Sequence, residues 1–346
     1  MARAAPGRAV LGSEPMARFR GALIAAAAAL GILGAGSASI APESPPRPTP
    51  LTLRFVTFNL LHGGIFSELS GDDAGLEERL RLAVEGLRAL DADVVGLQEA
   101  STGRRRGNVA ARLATALGYH YVHAPAATRP FGSEHMRRAV ASVLGFTEGP
   151  ALLSRFPIAR WRAHDLPRCG RPFDVRVLVF AELETPAGRL AAFSAHTSGD
   201  ACHARAVAEL VRANAGPLAA VVMGDFNAPD TSPAIQFLTR EAGFVDAFGY
   251  ANPATTGFTD GQDVKVARPT ARERIDYVFL APGRRVSGRV IGSRVVLHEP
   301  GEAGRVRWPS DHYGVLAEIA LERTTRSHVA GGGAARDVAR PRGAGS

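Results

Sequence analysis

Val221-Val222-Met223-Gly224-Asp225-Phe226-Asn227 is the stretch of sequence around which the rest of the chain is interpreted. A short apolar run that ends in glycine and leads into a carboxylate and a carboxamide predicts a buried strand with oxygen ligands at its carboxyl end. Because side chains alternate along a strand, Asp225 and Asn227 are expected to point the same way and Phe226 into the protein. The alternative is an Asx-type turn, in which both polar side chains bond only to backbone groups.

Other predicted strands also carry polar side chains at one end. Leu51–Asn59 alternates and ends in an amide, and Asp93–Glu99 is a buried run that ends in a carboxylate. A predicted hairpin of residues 176–184 and 190–196 ends in a histidine, and the strand over residues 275–280 has an acid near its start. The polar positions are Asn59, Glu99, His196, Asp225, Asn227, Asp276, Asp311 and His312. Because such groups are costly unless they meet one another or a metal, a turn at Asp225 alone is an improbable explanation.

The remaining pattern alternates helices with strands. Helices are predicted over residues 76–90, 108–117, 204–214 and 232–241, and further strands over residues 119–122, 286–296 and 314–321. Glu148–Ile158 is a predicted strand, with Pro157 ending it or marking a sheet edge. Residues 60–75 are predicted to be a loop, and residues 125–146 have no firm assignment.

Six short motifs, taken in order, resemble the endonuclease/exonuclease/phosphatase superfamily, the deoxyribonuclease I-like proteins. They are Thr57-Phe58-Asn59, Leu97-Gln98-Glu99, Ala195-His196-Thr197, Gly224-Asp225-Phe226-Asn227, Arg274-Ile275-Asp276-Tyr277 and Ser310-Asp311-His312. The resemblance covers about Leu51 to Leu321. It implies an α/β fold, a four-layer α/β/β/α sandwich of two facing mixed β-sheets with helices outside. It also implies metal-dependent hydrolysis of phosphate esters at the strand ends.

The resemblance also implies roles for individual residues. Glu99 corresponds to the main metal ligand, with Asn59 beside it and Asp311 as a further ligand or orienting acid. Asp225 and Asn227 match the pair that orients water and phosphate or holds a second metal. The other matches are His312 near the scissile phosphate, Asp276 fixing its tautomer, His196 as general acid, and Glu148 as the carboxylate partner of His196.

Two basic side chains and the choice of metal complete the predicted site. Arg176 is expected to reach the phosphate from its strand. His62 follows Asn59 closely and is a candidate near the cleft, with an ordinary loop histidine as the equal alternative. The candidate ligands are oxygen donors, which favour Mg²⁺, Mn²⁺ or Ca²⁺ over Zn²⁺.

The positive charge of the chain belongs to its two ends. Subtracting the +3 of residues 1–38 and the +4 of residues 323–346 from the formal +8 leaves +1 for residues 39–322. A high overall charge is therefore a weak argument for a polyanionic partner. Residues 323–346 lack apolar periodicity and are predicted to be a disordered basic tail.

The N-terminal segment predicts export. Arg18 and Arg20 precede an apolar run from Ala22 to Leu33, and small residues follow up to Ala38. This is typical of a secretory signal peptide over residues 1–38, in which residues 1–15 are an over-extended start before Met16. An uncleaved membrane anchor is the alternative. A Pro-rich linker, residues 39–50, leads into a domain spanning residues 51–322, and an even count of cysteines in an exported chain predicts a Cys169–Cys202 disulfide.

Together these features predict an exported, divalent-metal-dependent phosphoester hydrolase, in first place a nuclease-like phosphodiesterase. A phosphomonoesterase or a lipid head-group phosphodiesterase of the same fold is the alternative. A catalytically inert binding module is a remote alternative, because all the expected ligands and histidines are present. The expected partner is a phosphoester in a nucleic acid, nucleotide or phospholipid head group, and the protein is expected to be a monomer without an obligate protein partner.

Overall fold

The computed structural model describes residues 50–61, 75–103, 106–126, 133, 136, 146–171, 174–301 and 308–323. All of them lie in the second of the two units into which the chain divides, Met1–Pro48 and Thr49–Ser346. The predicted signal peptide, His62, most of the unassigned segment and the predicted tail beyond Arg323 lie outside the described residues. Within the described part, no helix has both the length and the apolar character needed to cross a membrane.

The described elements follow the predicted alternation of strands and helices. In chain order they are β1 (Leu51–Asn59), α1 (Leu76–Leu90), β2 (Val94–Gly103), β3 (Gly107–Asn108), α2 (Val109–Leu117), β4 (His120–His123), β5 (Phe146–Ser154), β6 (Ile158–Asp165), β7 (Val177–Thr185), β8 (Gly188–His196), α3 (Ala201–Ala215), β9 (Ala220–Asp225), α4 (Pro233–Gln236) with a π-helical continuation (Phe237–Glu241), β10 (Val245–Asp246), α5 (Ala247–Ala251), β11 (Asp276–Ala281), β12 (Val286–Val296) and β13 (Gly314–Arg323).

The described strands form two mixed sheets. The seven-stranded sheet has the order β12-β13-β1-β2-β5-β4, with β3 beside β2, and the six-stranded sheet has the order β10-β11-β9-β8-β7-β6. Each sheet contains one parallel pair, β1 with β2 and β8 with β9, and its other pairs are antiparallel. Strands of both parallel pairs therefore end in the same region, where the polar residues of the sequence motifs meet.

Alternation along the strands builds three hydrophobic cores. Phe55 of β1 lies in the core between the sheets, whereas its neighbour Val56 lies in the outer core beneath α1 and α2. A second outer core joins α3 and α4 to β8, β9 and β11, as in the packing of Val207 and Ile235 with Phe193. The predicted four-layer α/β/β/α sandwich is confirmed.

Two predicted strand boundaries are wrong. β2 does not end at Glu99: it continues to Gly103, and its register with β5 shifts between Leu97 and Ala100. Glu99 has φ 55 at this irregularity, a conformation that an alternating sequence does not reveal.

The second error concerns the run predicted as one strand, residues 148–158, which is two strands. The chain turns after Ser154, whose hydroxyl accepts a hydrogen bond from the Phe156 backbone N–H at 3.0 Å. β6 begins beyond Pro157 and was not predicted, because its exposed, arginine-rich sequence lacks a strong apolar alternation.

Candidate active site

Asp225, Asp276 and His312 form the buried centre of the candidate site. Asp225 ends β9 directly opposite Asp276, which begins β11. His312 Nδ1 lies 2.9 Å from Asp276 Oδ2, and His312 Nε2 lies 3.9 Å from Asp225 Oδ2. Asp276 is fully buried, and the other two side chains are nearly so. Two carboxylates brought this close away from water require a proton or a cation between them.

Short local contacts hold this centre in place. The His312 N–H donates to Ser310 Oγ at 3.2 Å, and the Tyr313 N–H donates to the Thr259 carbonyl at 2.6 Å. The Thr259 hydroxyl also accepts from the N–H of Asp276 at 3.3 Å. A single buried threonine thus fixes the start of β11, which carries Asp276, and the segment before β13, which carries His312.

Asn59 joins the two sheets at the site. Its Nδ2 donates to Asp225 Oδ2 at 2.9 Å and to Glu99 Oε1 at 3.2 Å. On the other side, His196 Nε2 lies 3.5 Å from the same Asp225 oxygen. Asp225 therefore stands at the junction of both parallel strand pairs.

The Asx-type turn that follows Asp225 is formed, and Asp225 also takes part in the site. The Asn227 N–H donates to Asp225 Oδ1 at 2.9 Å, and Asn227 Nδ2 donates to the Thr197 carbonyl at 2.9 Å. Because β9 ends at Asp225 and Asn227 has φ 50, strand alternation does not extend to Asn227. The Asx turn and the functional site, predicted as alternatives, are both present: one oxygen of Asp225 forms the turn, and the other faces Asn59 and the histidines.

The protonation of this centre is strongly perturbed. Burial raises the pKa of Asp225, and the Asp276 charge raises it further, to about 7, against the lowering effects of His312, Asn59 and the Asn227 N–H. Burial alone would lower the pKa of His312, but the charge and hydrogen bond of Asp276, with the charges of Asp225 and Asp311, raise it well above its ordinary value. These contacts therefore favour the protonated form of His312.

Three further carboxylates influence one another beside this centre. Burial and the Glu99 charge raise the pKa of Glu148 to about 7, while Arg176 opposes the shift. Burial also raises the pKa of Asp311; His312 lowers it and the Glu99 charge raises it. Glu148 Oε2 is buried and has no hydrogen-bond partner among the described residues. The pairing of Glu148 with His196 stays a prediction.

Arg176 is held by residues that the sequence analysis did not select. Its Nε donates to Asp174 Oδ1 at 2.7 Å, and the other oxygen of Asp174 accepts the Ser198 hydroxyl. Cys169 and Cys202 form a disulfide that joins this segment to the start of α3. Arg176 thus lies on a segment anchored at both the disulfide and Ser198.

Asp260 is a second residue that the sequence analysis missed. Its Oδ1 lies 3.2 Å from His312 Nε2, on the side of the imidazole ring opposite Asp276. Asp260 belongs to a glycine-containing loop with no apolar period, and it reaches the site only through backbone bridges to Glu273 and His312. Nothing in its local sequence marks it as a site residue.

The described side chains can accommodate a hard divalent cation. Asp225, Asp276 and His312 place ligand atoms within 4.8 Å of one another. Asp276 Oδ1 is buried without a hydrogen-bond partner among the described residues, as is Glu148 Oε2. Two of the three clustered donors, Asp225 and Asp276, are carboxylates, whose oxygens Mg²⁺ and Mn²⁺ prefer.

Comparisons with known proteins support the same fold. An endonuclease/exonuclease/phosphatase family protein from Bacteroides thetaiotaomicron is similar, with a TM-score of 0.61 and 19% identity over 80% of this chain and 96% of the other. A mannosyl-6-phosphatase from the same organism has a TM-score of 0.60 and 20% identity over 77% and 99%. The human Nocturnin catalytic domain with bound sulfate has a TM-score of 0.57 and 18% identity over 80% and 95%.

The family assignment comes from sequence. No curated protein matches the chain. The sequence profile of the Endonuclease/Exonuclease/phosphatase family, however, matches residues 56–312, which contain every described residue of the candidate site. The chain therefore belongs to the endonuclease/exonuclease/phosphatase family and is a hydrolase of the phosphoester type.

Proposed function

We propose that this protein is an exported, divalent-metal-dependent phosphodiesterase that hydrolyses its substrate by direct attack of water on phosphorus. The single observation that carries the proposal is the 2.9 Å contact between His312 Nδ1 and the buried Asp276, beside the perturbed carboxylate of Asp225. An imidazolium fixed in this way, among several carboxylates, suits a site that handles an anionic substrate with the help of a cation.

In this proposal Glu99, Asn59 and Asp311 hold Mg²⁺ or Mn²⁺, and Ca²⁺ is a further candidate. When bound, the cation offsets charge on the phosphoryl oxygens and lowers the pKa of water. The chain would bring these ligands together from β1, β2 and the segment before β13. Asn59 has a second task, because its amide also donates to Asp225 and so aligns that carboxylate.

The protein side chains supply the proton transfers. A water oxygen forms a bond to phosphorus while the bond from phosphorus to the leaving oxygen breaks. Asp225 accepts a proton from the attacking water, and His196, 3.5 Å away, gives a proton to the leaving oxygen. His312 donates its Nε2–H to a nonbridging oxygen, and Asp276 holds the ring in the required tautomer. Asn227 closes the turn that orients Asp225, and Arg176 attracts the phosphate.

A phosphomonoesterase is the second candidate. A mannosyl-6-phosphatase has the same fold at 20% identity, so the fold is compatible with monoester hydrolysis. A nucleic acid, a nucleotide and a phospholipid head group are the substrate classes to compare, and a monomer is the proposed state.

Hydrolysis of bis-p-nitrophenyl phosphate tests the proposal. We expect turnover with Mg²⁺ or Mn²⁺, loss of turnover in excess chelator, and recovery when the metal is restored. Full activity in chelator would contradict the mechanism. A panel of plasmid DNA, RNA, sphingomyelin, phosphoinositides and nucleotides on the same sample would then identify the substrate class, and cell fractionation would test export.

A further inference from the structure

Asp260 lies beside the Nε2–H of His312, the hydrogen-bond donor that the proposed mechanism assigns to the phosphoryl group of the substrate. His312 donates from Nδ1 to Asp276, which is fully buried, so Nε2 is the ring nitrogen left for another acceptor. Asp260 Oδ1 lies 3.2 Å from that nitrogen, and the Asp260 side chain is 31% exposed. The imidazole ring is thus held between an inner and an outer carboxylate.

The backbone of Asp260 is fixed. Its N–H donates to the Glu273 carbonyl at 2.9 Å, and its carbonyl accepts from the Arg272 N–H at 2.8 Å. It also forms an isolated bridge to His312 itself. Because these contacts hold the main chain, the short Asp260 side chain can turn but cannot leave the neighbourhood of the imidazole.

We propose that Asp260 is a specificity-determining residue that disfavours doubly charged phosphomonoesters and so favours singly charged phosphodiesters. The inference rests on the proposed function, in which a phosphoryl oxygen accepts the Nε2–H of His312. A phosphoryl group in that position displaces Asp260 from the donor and remains beside its negative charge. The repulsion grows with the charge of the phosphoryl group, so a dianion is penalised more than a monoanion.

Asp260 differs in this respect from the other acids of the site. Glu99 and Asp311 are proposed cation ligands, and Asp276 faces the imidazolium from inside the protein. Among the described residues, Asp260 forms its ion pair with His312. In the proposed mechanism the substrate replaces Asp260 as the acceptor of the His312 Nε2–H. Once the substrate is bound, Asp260 is the outer carboxylate left without its own cationic partner.

The test compares two esters of one leaving group at pH 8 with Mn²⁺: bis-p-nitrophenyl phosphate, a monoanion, and p-nitrophenyl phosphate, a dianion. Asp260→Asn keeps a hydrogen-bond acceptor and removes the charge. We expect it to raise the ratio of monoester to diester kcat/KM by roughly tenfold or more. Asp263→Asn is the matched control, since this exposed residue of the same loop accepts from the Lys265 N–H, and its ratio should stay within about twofold.

An unchanged ratio in Asp260→Asn, or an equal change in Asp263→Asn, would overturn the inference. So would a similar loss on both esters with weaker Mn²⁺ binding, which would make Asp260 a metal ligand. If the wild type hydrolyses neither ester, the proposed function fails, and calorimetry with inorganic phosphate and dimethyl phosphate decides the inference. Tighter binding of phosphate alone in Asp260→Asn supports it; no change, or no binding of either anion, contradicts it.

Discussion

Both ends of the sandwich carry a cluster of charged side chains, and the two clusters are composed differently. At the end where β1 begins, arginines face the carboxylates: Arg54 Nε lies 3.1 Å from Glu318 Oε1, and Arg155 Nη1 lies 3.1 Å from Asp93 Oδ1. Asp91 contacts both arginines. Each acid in this cluster has a cationic partner, as is usual for a set of ion pairs that only stabilises a fold.

At the end where β1 finishes, carboxylates face other carboxylates. Asp225 lies opposite Asp276, and the Glu99 charge acts on both Glu148 and Asp311. The histidines and Arg176 offset only part of this charge. The comparison shows that an excess of buried carboxylates, rather than the number of charged groups, distinguishes the candidate site.

The largest expected effect is on kcat, which should fall after a substitution at the end where β1 finishes and stay nearly unchanged after one at the end where β1 begins. His312→Ala removes the imidazole that contacts both Asp276 and Asp260, and it should lower kcat for bis-p-nitrophenyl phosphate by about 10²–10⁴. Arg155→Ala at the other end should change kcat by less than about twofold. Steady-state rates, with circular dichroism to verify folding, check both; a folded His312→Ala within tenfold of wild type would contradict the assignment.

A smaller loss of activity is expected when the side chain of Asp276 keeps its shape but loses its negative charge. Asp276→Asn should reduce kcat by at least about tenfold and by less than His312→Ala, because the ring remains but its protonated form is no longer favoured. The pH dependence of kcat should shift as well, since the pKa of His312 would fall. An unchanged rate and pH profile would show that Asp276 has only a structural role.

The buried carboxylates at the end where β1 finishes should also make the stability of the folded protein depend on pH. The pKa values of Asp225 and Glu148 are raised to about 7 in the folded protein, so the folded state binds more protons than the unfolded state between about pH 4 and 7. These groups therefore stabilise the protein below that window and lose their contribution as pH rises through about 7. In chelator, Tm should fall by roughly 2–5 °C from pH 5 to pH 8, and less so in Asp225→Asn.

Removing an arginine from the balanced end should have the smallest effect. Arg155→Ala leaves Asp91 and Asp93 without one cationic partner, and the pair is partly exposed, so we expect a loss of about 1 kcal/mol or less in the free energy of unfolding. Denaturant unfolding measures it. A loss several times larger would mean that this end contributes more to the fold than its exposure indicates.

The sequence predicted much of this molecule because its signals are local. β1 and α1 have the predicted bounds, since alternation and a helical apolar stripe depend only on neighbouring residues. Asn59, His196, Asp225, Asp276 and His312 could be selected because each lies at the end of an apolar strand. Asn59, His196 and Asp225 end strands of the two parallel pairs, and Asp276 begins the strand that runs antiparallel to β9.

What the sequence did not reveal depends on contacts between distant segments. The sequence identified Glu99 as a site residue but not the irregularity in the pairing of β2 with β5, where the Glu99 backbone adopts φ 55. Asp260 lies in a loop, and only tertiary contacts bring it to His312. Asp174 is two residues from Arg176, but the contact that anchors it is with the distant Ser198. No pattern within a few residues encodes such a contact.

Calorimetric titration with Mn²⁺ tests the central claim most directly, because it asks which end of the sandwich binds a cation without requiring a substrate. The wild type should bind Mn²⁺, Glu99→Gln at the excess-carboxylate end should bind at least about tenfold more weakly, and Asp93→Asn at the balanced end should bind as the wild type does. Failure of the wild type to bind Mn²⁺, or equal binding by Glu99→Gln, would contradict the claim.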